Sequence, residues 1–573
     1  MSRLRTVLLA IGVAALTIGA FYPSLDGQFL NWDDQKNLVT NEAYRGLGPS
    51  QLRWMATTTL MGHWIPLTWV TLGLNYVVGG MAPWGYHAGN LLLHAGSAVV
   101  FFAVARRLLA AGAGAARTAA KVEWGAVVAA AVFAVHPLRV ESVAWATERR
   151  DVLSGLWFLL AVWGYLKAVE QGRQGRLDGR WRAMSLGLFA AALLSKASTM
   201  MLPAALLVLD VYPLRRQGVG WAALVREKLG YLVLAGAGAV VALVAVRQGA
   251  LVTGYGEYGV GARAVMTVYS LFFYPWKFVW PVDLSPMYEL PARIEPLAGK
   301  FLVPLAAVPV ITVVLIALRR RWPGGLAAWG YSALLVLPMS GAVHAGYQLA
   351  HDRYSYLSGM GFALLVGGVV VGVVGAGARG AVRPWVTATA LGTVGLVVVG
   401  LGAGTWRQSR VWHDSETLWR RAVDADPSCM ICQNNLGNLL LDQDRLGEAE
   451  TAFRAAIAAR PGSAGPRNNL GAVLLRTGRL YEAAAQFREA ARLAPERIGG
   501  MLNLGLLQVM QGKYADAIPT LRQVLAQRPD RPDAQAALAM ALARRADELR
   551  RDGRSDEAAA LVSESESLLR KSR

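Results

Sequence analysis

Two adjacent carboxylates, Asp33 and Asp34, follow an aromatic residue in the run Asn31-Trp32-Asp33-Asp34, where the first apolar segment of the chain ends. The loop beyond carries Asn41, Tyr44, Trp54, His63 and Trp64. A carboxylate in such a setting has the chemistry of a general base. Further polar groups recur at the edges of later apolar runs. One set is His136-Pro137-Leu138-Arg139-Val140-Glu141, followed by Trp145, Glu148, Arg149, Arg150 and Asp151. Others are Ser195-Lys196-Ala197-Ser198, the stretch from Trp280 through Asp283 to Tyr288, and His351-Asp352-Arg353-Tyr354. Each alone has an ordinary explanation, because arginine snorkels and Trp and Tyr form interfacial belts. Lys196 interrupts an apolar run, and an isolated charge at membrane depth costs about 2.5–3.5 kcal/mol unless it meets a cavity or a partner. Taken together they make an aromatic-walled polar cavity. A carboxylate there takes the proton from an acceptor hydroxyl, while Arg, Lys and His hold a departing phosphate. That division of labour suits sugar transfer from a polyprenyl-phosphate donor. The chain carries no Gly-rich phosphate loop, no Gly-x-Ser-x-Gly elbow and no His-Glu-x-x-His motif, which argues against a nucleotide-driven pump, a serine hydrolase of that type and a zinc protease.

The elements that position these groups are membrane helices. Up to about residue 405 the 573-residue chain is a series of runs rich in Ala, Val, Leu and Gly; beyond it charged residues become frequent. About eleven spans are expected, near 5–23, 87–107, 123–136, 152–168, 183–196, 199–214, 229–247, 301–318, 325–341, 355–376 and 385–405. The segment 264–281, with Pro275, Trp276, Lys277, Trp280 and Pro281, reads as interfacial or re-entrant. The net charge of +20 follows from basic loops such as Arg106-Arg107 with Arg117 and Lys121, Arg215-Arg216, and Arg319-Arg320-Arg321. The positive-inside rule explains these loops, so nucleic acid is not an expected partner. Arg3 and Arg5 put the N-terminus in the cytoplasm and the Asp33–Asp34 loop outside, and an odd number of crossings puts the C-terminal region outside as well.

That region repeats. Pro427, Pro461, Pro495 and Pro529 are spaced by 34 residues, as are Asn435-Leu436-Gly437, Asn469-Leu470-Gly471 and Asn503-Leu504-Gly505. Ala449, Ala483 and Ala517 keep the same step, as do Phe453, Phe487 and Leu521. This is the tetratricopeptide pattern of paired helices, whose concave face binds extended peptides; Asn435, Asn469 and Asn503 are the candidate acceptor-binding residues. Cys429 and Cys432 are too few for a zinc site and read as a buried pair or an incidental disulfide. The expected organisation is all-α: a membrane domain over 1–405, a connecting helix over 406–426 docked through Trp406, Trp412 and Trp419, and repeats with a cap over 427–573.

Several motifs occur in order: Trp-Asp-Asp, the stretch from His136 to Ala146 with Arg150-Asp151 after it, Leu-Leu-Ser-Lys, Trp-Pro-x-x-Leu-Ser-x-x-Tyr and Arg-Tyr-x-Tyr-Leu. With the repeats, they resemble the transmembrane and tetratricopeptide-repeat O-mannosyltransferases of the GT-C superfamily. The resemblance implies an inverting transferase with Asp33 and Asp34 as the catalytic pair. His136, Arg139, Glu141, Arg150, Lys196, Arg353 and Tyr354 would hold the lipid-linked donor, an exported protein would be the acceptor, and a divalent metal is not expected. Ala197 stands where relatives often have an acidic residue, and Asp352 where they usually have glutamate. The Ala- and Arg-rich composition is of bacterial type, so mannose or another hexose is expected, in a cytoplasmic membrane. Two rival readings are a GT-C enzyme acting on an envelope glycan or lipid, and a membrane scaffold or transporter with a protein-binding repeat domain.

Overall fold

The computed structural model describes residues 2–113, 119–173, 175–248, 258–343 and 348–571; Arg117 of the first basic loop lies outside them. The chain is almost wholly helical and divides into two compact units, Met1–Arg421 and Ala422–Arg573. The division falls within the stretch read as a connector.

In the first unit the helices that meet the expected spans or the segment 264–281 are α1 (Ser2–Phe21), α2 (Pro83–Ala113), α3 (Ala119–Ala134), α4 (Arg149–Gln171), α5 (Gly179–Ser195), α6 (Leu202–Val211), α7 (Leu229–Gln248), α8 (Val260–Val279), α9 (Gly299–Ala317), α10 (Pro323–Val336), α11 (Met360–Ala378) and α12 (Pro384–Val411). A further 14-residue helix, Pro66–Gly79, lies between α1 and α2 in the chain. Every expected span falls on a helix. Among the described residues seven helices are long and apolar enough to cross a membrane, and an eighth is added if α3 and Pro137–Ala144, bent by 55°, count as one broken span. The expected spans at 183–196, 199–214 and 325–341 are helices of 17, 10 and 14 residues, shorter than the roughly 20 residues that cross a bilayer upright. In the 199–214 run, a 3-10 turn over Ala197–Met201 takes up the start and Tyr212-Pro213 ends the helix. The segment read as interfacial is a continuous helix, α8, with Pro275 inside it. This is an integral membrane protein.

Its packing uses small residues where helices approach. A Cβ on Gly367 of α11 would press on the backbone of Gly125 in α3 and meet Ala129 at 2.9 Å. Such close approach is how helices associate where lipid removes the hydrophobic drive. A second device is a buried ionic knot. Asp210 and Lys228 are both fully buried and paired, Arg216 reaches Asp210 at 3.1 Å and Glu227 at 2.8 Å, and Tyr165 donates to Asp210 at 2.7 Å. Each buried charge is thereby compensated.

The second unit is a solenoid of helix pairs, beginning with α13 (Met430–Asp442) and α14 (Leu446–Ala459). The pairs α15 (Ala464–Arg476) with α16 (Leu480–Leu493) and α17 (Ile498–Met510) with α18 (Tyr514–Gln527) follow, and α19 (Pro532–Arg551) with α20 (Ser555–Lys571) completes it. The repeated glycines are small because the partner helix leaves no room. A Cβ at Gly437 would meet the Phe453 ring at 2.6 Å, one at Gly471 the Phe487 ring at 2.5 Å, and one at Gly505 the Leu521 side chain at 2.7 Å. Cys429 and Cys432 close a buried disulfide at the start of α13.

Candidate active site

The loop after α1 turns on aromatic contacts. Trp32 stacks on Trp145 with ring centroids 4.4 Å apart and meets the edge of Trp419 at 5.1 Å. Trp412, also buried, lies 5.7 Å from Trp145. Trp419 donates to Asn31 Oδ1 at 2.9 Å, and the Asn31 backbone N–H reaches Ser415 Oγ at 2.8 Å. Trp412 and Trp419 thus clamp the loop from the far end of the unit. Trp406 instead stacks on Tyr22 at 6.4 Å.

The two aspartates have different surroundings. Asp34 is fully buried. Its Oδ2 accepts from the Leu30 N–H at 2.9 Å, and its Oδ1 accepts from both the N–H (3.0 Å) and the hydroxyl of Thr147. Burial pushes its pKa up to about 7, against the pull of these hydrogen bonds. Asp33 is half-buried and makes no hydrogen bond among the described residues. Burial raises its pKa, and Arg150 and Arg353 lower it. Asp34 therefore staples the loop, and Asp33 is the carboxylate left without a hydrogen bond among the described residues, within electrostatic reach of Arg150 and Arg353.

Arg150 and Arg353, the two cations that act on Asp33, belong to a charge-balanced cluster. Arg150 grips Glu148 with two hydrogen bonds, at 2.6 and 3.1 Å. Lys196 lies 3.4 Å from the same carboxylate and pairs with Asp151, while Arg353 Nε lies 3.3 Å from Glu148. Arg353 also pairs through its guanidinium with Glu141, which accepts the Arg353 N–H at 2.9 Å. Burial alone would lower the Arg353 pKa, but Glu141 and Glu148 hold it well above its ordinary value. His351 Nδ1 is 3.2 Å from Glu141; burial and then Arg353 lower its pKa. Three cations, Arg150, Lys196 and Arg353, thus face three carboxylates, Glu141, Glu148 and Asp151. A small pocket opens on Asp151, Lys196, Ser198, Arg353 and Tyr354, and the Tyr354 hydroxyl accepts from Gln348 at 3.1 Å. Lys196 and Arg353 are the two cations of the cluster that reach open space. Among the described residues no three His, Cys, Asp or Glu side chains converge as a metal set.

Two expected donor ligands are taken up by other contacts. Both ring nitrogens of His136 are occupied by backbone, the carbonyl of Phe278 at 2.9 Å and the N–H of Leu138 at 3.2 Å. Arg139 is fully buried over the rings of Phe133 and Tyr356, at 5.5 and 5.8 Å, and its guanidinium has no hydrogen-bond partner among the described residues. Asp352 is turned from the cluster toward Tyr288, which donates to it at 3.0 Å. This contact joins the Trp-Pro and Arg-Tyr motifs. The structure gives Glu148 and Asp151, read only as part of a polar run, the task of holding the cations, adds Thr147 to the site, and brings His63 within electrostatic reach of the cluster. The charged run Glu148–Asp151 at the head of an apolar span signals the first two; nothing in the sequence signals Thr147. His63 follows Met61 and Gly62, both with left-handed backbone (φ 53° and 73°). Its ring is exposed to solvent yet walled by protein, and this confinement, with Arg150 and Lys196, pushes its pKa down to about 3.

In the solenoid, Asn469 donates to Asn434 at 3.0 Å and to Asn438 at 2.8 Å, and Asn503 donates to Asn468 at 2.9 Å. Asn469 and Asn503 therefore belong to a side-chain ladder running from repeat to repeat; Asn435 lies half-buried beside its start.

A tetratricopeptide-repeat model matches residues 405–464, 448–498 and 502–567. The chain is 32% identical over 201 residues to the human protein O-mannosyl-transferase TMTC4, covering 32% of this chain and 26% of that protein. It is 32% identical over 195 residues to the Drosophila melanogaster protein O-mannosyl-transferase Tmtc1, covering 32% and 20%. The chain is TMTC-like. The matched part spans about a quarter or less of the length of these two relatives. Among solved structures, MamA matches the TMTC-like chain with 18% identity and a TM-score of 0.24, covering 27% of this chain and 86% of that one.

Proposed function

We propose that this TMTC-like protein is an inverting, membrane-embedded glycosyltransferase. It moves mannose or another hexose from a polyprenyl-phosphate donor to Ser or Thr hydroxyls of exported proteins. The observation that carries the reading is Asp33: a carboxylate without a hydrogen bond among the described residues, on a loop stapled by Asp34, and within electrostatic reach of Arg150 and Arg353, whose cluster opens on a small pocket. The curated relatives are named protein O-mannosyl-transferases, which supports a sugar acceptor chemistry on protein hydroxyls.

In this mechanism Asp33 accepts the proton of the acceptor hydroxyl as its oxygen attacks the anomeric carbon from the face opposite the phosphate. The bond from that carbon to the phosphate oxygen breaks, and the charge on the departing lipid phosphate is steadied by Lys196 and Arg353. Glu141, Glu148 and Asp151 hold those cations in place before the donor arrives, so little reorganisation accompanies the step. Arg150 keeps Glu148 oriented. The repeats present the acceptor along the ladder that includes Asn469 and Asn503, with Asn435 at its head. The basic loops and the Cys429–Cys432 disulfide, which suits a non-reducing compartment, support an N-terminus in the cytoplasm and repeats outside a cytoplasmic membrane.

The test is glycopeptide mass spectrometry of exported proteins from cells lacking the gene, complemented with wild type or Asp33→Asn. Hexose on Ser or Thr should vanish and return only with wild type. An unchanged set of glycopeptides overturns the protein-acceptor reading, and full rescue by Asp33→Asn overturns the base.

A further inference from the structure

A second cavity, about 570 Å³, runs between α2, α4, α6, α10 and α11. Its walls are apolar, with Leu108, Leu364 and Gly368 along them, and one end carries Arg215, Arg320 and Arg321. All three arginines are exposed, and none has an acidic partner among the described residues. The nearby acids are already committed, since Asp210 and Glu227 pair with Arg216 and Lys228. The positive-inside rule accounts for arginines at a membrane edge; it does not account for an apolar cavity opening beside them. An apolar space of this size within a membrane protein, with fixed cations at one end, matches a lipid whose tail is buried and whose head group is anionic.

We propose that this cavity is a binding site for an anionic phospholipid, its acyl chain lying between the helices and its phosphate held by Arg215, Arg320 and Arg321. The occupant is not the reacting donor. Helix α10 begins at the arginine end with Pro323 and reaches the polar pocket of Lys196 and Arg353 near Leu335. Twelve residues of helix place the two ends roughly 18 Å apart, too far for a phosphate on the arginines to meet Asp33. The site therefore serves to fill and brace the helices that carry the cluster from below.

The test is native mass spectrometry of the full chain released from mild detergent. Wild type should retain one phospholipid of anionic head group. Retention should fall at least tenfold in the Arg215→Gln/Arg320→Gln/Arg321→Gln variant, which removes the charges. It should fall likewise in Gly368→Phe, which fills the cavity, since a Cβ there meets only Leu109 at 3.9 Å. A second arm uses delipidated wild type alone, so that it does not depend on how the variants fold. Phosphatidylglycerol should raise its thermal midpoint, while phosphatidylcholine of the same chains and glycerol phosphate should not. Four results overturn the proposal: no retained lipid, equal effect of phosphatidylcholine, stabilisation by glycerol phosphate alone, or a retained mass matching a polyprenyl phosphate.

Discussion

Replacing Asp34 with alanine should unfold the site loop without touching Asp33, the proposed base. In the folded chain the Asp34 carboxylate satisfies the N–H groups of Leu30 and Thr147 and the Thr147 hydroxyl, at a position with no solvent exposure. The hydroxyl can rotate toward another acceptor, but the two backbone donors cannot. Each buried donor left without a partner costs roughly 1–3 kcal/mol, so the loss is roughly 2–6 kcal/mol. The linkage runs in the opposite direction to that of an ordinary paired aspartate. Because burial raises the Asp34 pKa to about 7, the folded chain keeps its proton between about pH 4 and 7 after the unfolded chain has released it. The contribution of Asp34 to stability is thus fully present at acid pH and declines as pH rises toward 7. Thermal denaturation of the detergent-solubilised chain across that range reads both effects. Wild type should lose stability with rising pH, and Asp34→Ala should melt well below it at pH 5, with the gap narrowing by pH 8. Asp33→Ala, which removes no hydrogen bond among the described residues, should lose less stability at pH 5 than Asp34→Ala. If Asp34→Ala melts with wild type at every pH, the staple argument is wrong. If Asp34→Asn folds normally and abolishes transfer while Asp33→Asn transfers at the full rate, the roles of the two aspartates are reversed.

Because burial raises the Asp33 pKa, the transfer rate should fall as pH drops through a value above that of an ordinary aspartate; initial rates of wild type and Asp33→Asn should show this acid limb only in wild type, with a loss of about 10²–10⁴-fold in the variant. Arg353→Lys keeps the charge but cannot reach Glu141 and Glu148 together, so kcat/KM should fall by about 10²-fold with the fold intact by circular dichroism. Gly471→Val drives a side chain into the Phe487 ring and should cost roughly 1–3 kcal/mol, seen as faster proteolysis within the repeats while the membrane unit stays protected.

Much of this architecture was legible because its signals are periodic or long. The 34-residue step of proline, glycine and alanine located every repeat pair, and the apolar runs located α1 to α12, though not the 14-residue helix Pro66–Gly79. Their lengths misled where an apolar run continues past the helix, as at 199–214, because hydropathy does not register a 3-10 turn or the end at Tyr212-Pro213. Within the site, residue type identified the cluster but not the division of roles. Asp33 and Asp34 are chemically identical, and only the contact with Thr147, 113 positions away, makes one a staple and leaves the other free. His136 and Arg139 carry the right chemistry in the right motif, yet a carbonyl, an N–H and two aromatic rings claim them. Such claims are made by tertiary neighbours, which no local pattern records.

The clamp on the Asp33 loop also sets an order in time. Asn31 is held by Trp419, a partner 388 positions further along the chain. At 5–20 residues per second, ribosomes need roughly 20–80 s to cover that interval. During that interval Asp33 has been made but lacks the contact that positions its loop. On the proposed mechanism, a partly inserted chain would therefore be inert toward donor lipid already in the membrane, and competence would arrive only after nearly all of the membrane unit is in place.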